Sequence, residues 1–281
     1  MMVAEALDTL HRQRRGRRGG LGVLPAAYVG ICLVILFSPL VVLVLFSFNA
    51  AGTISLPFTG FSLQWFRALL TEPDAIQAFK SSLTIAAVVA PICVLAGLTS
   101  AYAAARLTGA WKSICLGVFS IPLVVPWLVI GVGGLLFFTM VGVAPSTVTV
   151  VLMQVVVTFP LITLILYARL AGMSVSAEEA AFDLGSGRMG VLCRVVLPQL
   201  VTPIIVGGLF AFISSLGNFV ITFFVSGYNT TVPVWAYSEL RHSQNLPVVN
   251  AASTALLAIS LIVFLIVFVL TRRDEGETTW L

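Results

Sequence analysis

The 281-residue chain is 59% hydrophobic and 9% charged, with 15 Lys and Arg against 11 Asp and Glu and a formal net charge of +4; its mean hydropathy is +1.08. Soluble domains carry about 25% charged residues, so this composition excludes a water-soluble protein. The long charge-free runs imply an all-α, polytopic membrane protein, and anionic lipid headgroups explain the basic balance without a nucleic-acid partner.

Residues 1–20, rich in arginine and glycine, read as a basic cytoplasmic N-terminal tail. Residues 21–273 read as a single six-helix transmembrane domain, and 274–281 as a cytoplasmic C-terminal tail. The first span, about 23–48, is longer than the roughly 7–15-residue apolar core of a signal peptide and reads as an uncleaved anchor. Beyond Phe48, Asn49 to Thr53 and Pro57-Phe58-Thr59-Gly60 are loop chemistry. Further spans are predicted at about 81–105, 114–140 and 147–168, the last two separated by the turn Gly142-Val143-Ala144-Pro145-Ser146. After a cytoplasmic loop over 169–199, the final spans are predicted at about 200–225 and 250–271. Each is near the roughly 20 apolar residues that cross the hydrocarbon core.

Cytoplasmic flanks are enriched in Lys and Arg. With both termini inside, the cluster Arg12 to Arg18 and Arg106, Lys112, Arg169, Arg188, Arg194, Arg272 and Arg273 all fall on that side, leaving Arg67, Lys80 and Arg241 outside. Cys32, Cys93, Cys115 and Cys193 lie on scattered elements with no Cys-x-x-Cys spacing, and read as small packing residues.

The spans contain no Asp, Glu, Lys, Arg or His, which disfavours a proton-coupled carrier. No zinc-protease or nucleophile-elbow motif is present, so catalysis within the chain is not expected. Gly185-Ser186-Gly187-Arg188-Met189-Gly190 has dinucleotide-binding spacing but no strand to precede it. Lys80 and Lys112, the chain's lysines, follow Phe79 and Trp111 where a phosphate-binding loop needs glycine. No nucleotide or metal site is therefore expected in this chain.

The 169–199 loop is the informative segment. Ser176-Ala177-Glu178-Glu179 reads as a capping box opening a short helix, about 177–184, which stops at Gly185 in the left-handed conformation. Glu178, Glu179 and Asp183 lie on this helix, and Ala180 and Ala181 give it a smooth face. A solvated interfacial helix and a docking peg for a partner protein both fit that pattern.

Glu179-Ala180-Ala181, then Gly185, then Val195-Val196-Leu197-Pro198 resembles the EAA loop of permease subunits of bacterial type I ABC importers, with valine at 195 where the family has isoleucine. The resemblance extends from Ser47-Phe48-Asn49 and Gly60-Phe61-Ser62-Leu63-Gln64-Trp65-Phe66 to the last span, and is nearest to the second permease of spermidine/putrescine-type systems. It implies the type I permease fold in a bacterial inner membrane. It also implies a coupling helix seated on a cytoplasmic ATPase dimer through Glu178, Glu179, Ala180, Ala181, Asp183 and Gly185, with Leu197 and Pro198 passing the motion to the fifth span. ATP and magnesium would be bound by that ATPase. A second, related permease chain would complete a heterodimer, and a periplasmic or lipid-anchored binding protein would deliver the substrate.

Uncharged polar residues within spans either face a cavity or bond across helices. Ser214, Ser215 and Asn218 in the fifth span and Gln154 and Thr158 in the fourth are the pathway candidates, with interhelical bonding as the alternative. Related polyamine permeases can carry acidic residues where this chain has Gly217-Asn218, which leaves iron(III) or a small anionic, phosphonate-like solute open beside a polyamine. Trp235, Tyr237 and Glu239 in the outer loop from Tyr228 to Asn250 are candidates for touching the binding protein, or form an interfacial aromatic belt. The expected function is that of an ABC-importer permease. The rival is a stand-alone carrier or channel, for which the long capped loop has no evident purpose.

Overall fold

A computed structural model of the chain describes residues 23–51, 58–242 and 246–277. The expected N-terminal tail and residues 278–281 of the C-terminal one lie outside the described residues. The apolar runs fold as helices because backbone groups that leave water must be bonded within their own segment. In chain order these are α1 Val23–Ser47, α2 Gln64–Thr71, α3 Pro73–Arg106, α4 Gly109–Val124, α5 Trp127–Met140 and α6 Thr147–Ala171. There follow α7 Val175–Asp183, α8 Arg188–Val191, a π-helical turn Leu192–Val196, α9 Leu197–Leu216, α10 Val220–Val225, α11 Val232–His242 and α12 Leu246–Glu277.

Five of these helical runs are long and apolar enough to cross a membrane: Pro25–Ser47, Pro73–Arg106, Thr147–Ala171, Arg188–Leu216 and Leu246–Val269; a sixth is added if α4 and α5 are taken as one span. That pair departs from the single span predicted over 114–140, since α4 and α5 meet at 96°. Pro126 cannot donate a backbone hydrogen bond and holds Val125 at φ −73°, ψ 130°, an extended conformation that ends α4. The span predicted at 81–105 instead begins at Pro73, the first helical residue, followed by Asp74 in the first turn; both suit a helix start.

The fifth element differs most. Its helical run begins at Arg188, inside the expected loop, and α9 stops at Gly217, so residues 200–225 are not one continuous span. The Asn218 side-chain oxygen then accepts from the backbone N–H of Ile221, one of the donors that the first turn of α10 leaves without a helical partner. The turn between α5 and α6 forms as expected, and it holds the reciprocal capping bonds that the 176–179 segment lacks, between Ser146 and Thr149.

Three helices, α3, α6 and α9, make the centre of the bundle, burying Ile85, Val89 and Cys93 against Ile162, Leu166, Leu200 and Ala211. Their approach is close: a β-carbon on Gly97 of α3 would lie 2.9 Å from Cγ2 of Ile162. A second cluster, at the end of the bundle away from α7, joins α2 and the start of α3 to α11 and α12 through Leu69, Ala75, Ala78, Val232, Trp235, Val248 and Ala252. Beside it the two motif segments at Ser47–Asn49 and Gly60–Phe66 meet. The Asn49 side-chain oxygen accepts from both N–H and Oγ1 of Thr59, and Nε1 of Trp65 donates to the Asn49 carbonyl at 2.7 Å.

Candidate functional site

Helix α7 starts two residues before its expected position. Ser174 is the N-cap, with extended backbone and no side-chain cap bond, and Ser176 falls in the first turn with its hydroxyl 2.5 Å from that of Ser174. The capping box read at Ser176 is therefore absent: two nearby serines compete, and the hydroxyl of the second is taken by the first. The helix end does form as expected. Gly185 adopts φ +82°; its N–H donates to the Phe182 carbonyl at 2.9 Å, and Ser186 N–H donates to Ala181 at 3.0 Å. These bonds satisfy the terminal carbonyls of α7 in a Schellman arrangement. A β-carbon on Gly185 would meet no atom of the described residues within 4 Å.

The two adjacent glutamates face different ways, one buried and one exposed, because successive residues are about 100° apart on a helix. Glu179 is exposed with Ala180 and Asp183, and beside them stand Phe182, Leu184, which is 87% exposed, and Met189. Ala181 packs inward. Glu178, grouped with the docking residues on sequence grounds, is instead 6% exposed. Both its carboxylate oxygens accept from one guanidinium nitrogen of Arg106, the last residue of α3. Arg106 in turn lies 5.0 Å from the Tyr102 ring centroid. No local pattern announces a pair separated by 72 positions; the available signal was a lone arginine closing an apolar run.

Leu197 and Pro198 follow the π-helical turn. Pro198 brings no N–H to the carbonyl of Arg194, and the chain accommodates its ring by widening the helix so that Leu197 N–H reaches back to Leu192. The Gln199 side-chain amide donates to the Val195 carbonyl at 2.9 Å, and Arg169 Nε donates to the Gln199 carbonyl at 3.4 Å, joining the end of α6 to the start of α9. Val191, Val196 and Leu200, all fully buried, fix this joint to the core.

Of the intramembrane polar residues, Gln154 is fully buried and bonded at both ends: Nε2 donates to Thr222 Oγ1 at 2.9 Å, and Oε1 accepts from Ser215 Oγ at 2.5 Å. These bonds tie α6 to α9 and α10, an interhelical role, and Thr222 is the partner that sequence reading missed. Thr158 and Asn218 are also buried, whereas Ser214 is half-buried and Gly217, at the break after α9, is exposed. At the opposite end of the bundle from α7, Trp235 is 4% exposed and belongs to the packing of α11. It is not available as a contact residue. Tyr237 lies against Phe219 and Phe223, at centroid distances of 5.1 and 5.5 Å, while keeping a partly exposed edge. Glu239 is half-buried on the same helix.

Comparison with known proteins agrees with this arrangement. The family described as "Binding-protein-dependent transport system inner membrane component" matches residues 94–274, which include α7, the π turn and the α9–α10 break. The chain is 29% identical over 249 residues to the spermidine/putrescine transport system permease protein PotC of Haemophilus influenzae, covering 89% of this chain and 96% of that protein. It is 32% identical over 250 residues to the putrescine transport system permease protein PotI of Escherichia coli K12, covering 85% and 88%. Among solved structures, a chain of a bacterial alginate ABC transporter in complex with an alginate pentasaccharide-bound periplasmic protein superposes with a TM-score of 0.68 at 15% identity, covering 89% of this chain and 93% of that one.

Proposed function

This chain belongs to the binding-protein-dependent inner-membrane transport components and is a permease subunit of an ABC importer, and from that membership we propose how its parts divide the work. Helix α7 is the coupling helix. Its outward face, Glu179, Ala180 and Asp183 with Phe182 and Leu184, seats in a separate cytoplasmic ATPase dimer, which binds and hydrolyses ATP with magnesium. The turn at Gly185 lets that partner come close, because it carries no side chain and none of the described residues fills the space. Closure of the ATPase moves α7, and the π turn with Leu197 and Pro198 passes the movement to α9. Both termini face the ATPase side.

A second, related permease chain supplies the other half of the pathway, and a periplasmic or lipid-anchored binding protein docks at the opposite face, where Tyr237 and Glu239 lie. Within this half, the break between α9 and α10 is where substrate passes, with half-buried Ser214 and exposed Gly217 beside it. The substrate is a small polar solute of the polyamine class, a reading supported by the PotC and PotI relatives. A second reading, iron(III) on its carrier or a small anion, is favoured by one observation: α9 and α10 hold no carboxylate to neutralise a polycation.

The observation that carries the docking assignment is Leu184, an apolar side chain 87% exposed at the tip of a helix whose other face is anchored. With Phe182 exposed beside it, it forms an apolar patch outside the spans, and such a patch calls for a partner. With the permease pair, ATPase and binding protein reconstituted in liposomes, labelled putrescine should accumulate only with ATP, and this chain alone should give no uptake. Leu184→Asp should abolish co-purification of the ATPase and leave the thermal stability of the permease unchanged. Uptake by this chain alone, or an ATPase retained undiminished by Leu184→Asp, would overturn the proposal.

A further inference from the structure

The structure assigns Arg106 and Glu178 a shared task beyond docking: they are a positioning pair that registers α7 to α3, giving the docking helix a second mechanical route into the bundle. This rests on the proposal that α7 receives the ATPase.

Among the described residues, the main neighbours of this helix are the short α8 and the π turn, which lead from α7 into α9. Its inward contacts are small, with Ala181 against the edge of the main core. Glu178 adds a connection of another kind. Its carboxylate is almost wholly buried, and both oxygens take a charge-assisted bond from Arg106. The Arg106 side chain is 35% exposed, and its guanidinium rests over Tyr102, one turn back on α3. The geometry of the pair is thus held from both sides.

The far end of this connection is the bundle's central helix. α3 meets α6 where Gly97 admits Ile162, and meets α9 where Gly208 faces Val94, so that a β-carbon at those glycines would lie 2.9 and 3.4 Å from the neighbouring side chain. Close packing of this kind transmits displacement rather than absorbing it. A push on α7 therefore reaches α9 through the chain and α3 through the ion pair. With only the chain route, α7 could pivot about the π turn without moving α3. The tandem Glu178-Glu179 reads accordingly, with one carboxylate for this chain and its neighbour for the partner.

The test uses the assembled transporter in proteoliposomes and reads three quantities: ATPase retained, ATP hydrolysed, and uptake per ATP. Glu178→Gln should retain the ATPase and hydrolyse ATP, while uptake per ATP falls by about fivefold or more, the lower end of ordinary site-to-site coupling. The charge-exchanged double variant Arg106→Glu with Glu178→Arg should recover most of that loss. A merely structural contact would lower the amount of assembled complex and leave uptake per ATP unchanged. Should Glu178→Gln accumulate poorly, Arg106→Lys, which keeps the charge but not the planar group, is read in the same way and should fall between wild type and Arg106→Gln. Unchanged uptake per ATP in variants that retain the ATPase would overturn the link alone, as would a folded double variant without recovery. A wild-type chain that fails to retain the ATPase would instead overturn the docking proposal and this inference with it.

Discussion

Replacing Gln154 with alanine separates the two roles open to an intramembrane amide. The side chain is fully buried, donates to Thr222 Oγ1 and accepts from Ser215 Oγ, and these partners are themselves 0% and 5% exposed. Interhelical hydrogen bonds in membrane proteins are worth about 0.6 kcal/mol on average and up to about 1.7, so two of them supply about 1–3 kcal/mol. The orphaned hydroxyls can turn back to carbonyls of their own helices, which favours the lower part of that range, and the cavity left by the amide adds about 1 kcal/mol or more. The expected loss is therefore about 2–3 kcal/mol. Gln154→Met, which keeps most of the volume, should cost about half as much, since the packing term is retained. Unfolding in mixed micelles measures the loss, and uptake in the reconstituted transporter measures function. If the amide only joins helices, maximal uptake falls with the amount of folded protein and the substrate KM stays the same. A KM raised tenfold without loss of stability would refute the reasoning and place Gln154 in the pathway.

Two glycine substitutions test backbone and space separately. Gly185→Ala should cost about 1 kcal/mol of stability through its positive φ alone, because a β-carbon there meets nothing, and Gly185→Asn should cost less, as asparagine tolerates that region better; a thermal-shift series would check the order, and equal costs would count against a φ effect. Gly227→Ala should be far worse, about 2–4 kcal/mol, because a positive φ is joined by overpacking: its β-carbon would lie 2.5 Å from the Pro145 carbonyl oxygen, in the turn held to Val225 by Ser146 and Thr149. A Gly227→Ala protein that unfolds like wild type would mean that this turn moves freely.

How far the chain was legible follows from what its residues report. Charge-free runs report contact with lipid, and they located the first, fourth and sixth helices to within a few residues at most ends. They do not report helix length outside lipid, so α3 was started at Ser81 although Pro73-Asp74 carries its own start signal. The EAA segment was legible where it depends on one residue: Gly185 had to be left-handed because little else could end a helix there. It was misread where it depends on competition, as between Ser174 and Ser176, or on distance, as with Glu178 and Arg106. Thr222 was overlooked because a lone threonine among Val, Ile and Phe carries no signal until Gln154 is placed beside it.

The two broken elements were the hardest to foresee, and they are one feature rather than two. Val125-Pro126 and Gly217-Asn218-Phe219 both lie inside charge-free runs, so a reading of the charges passes over both breaks. The structure shows why the breaks belong together: α5, turned through 96° after Pro126, lies against α10, the short helix that follows the break in the fifth element. The contact is made at a glycine, since a β-carbon on Gly131 would come within 3.0 Å of the Phe224 ring and 3.5 Å of the Ile221 backbone. α10 is held in turn by the bond from Ile221 N–H to the Asn218 side chain and by Thr222 bonding to Gln154. Straightening either element would therefore strip the other of its packing, and the polar residues beside the second break depend for their positions on a proline nearly a hundred residues away. Sequence patterning reads each helix against its solvent. The course of the chain at these two breaks is set by one interruption packing on the other, and that becomes visible only when the helices are seen against each other.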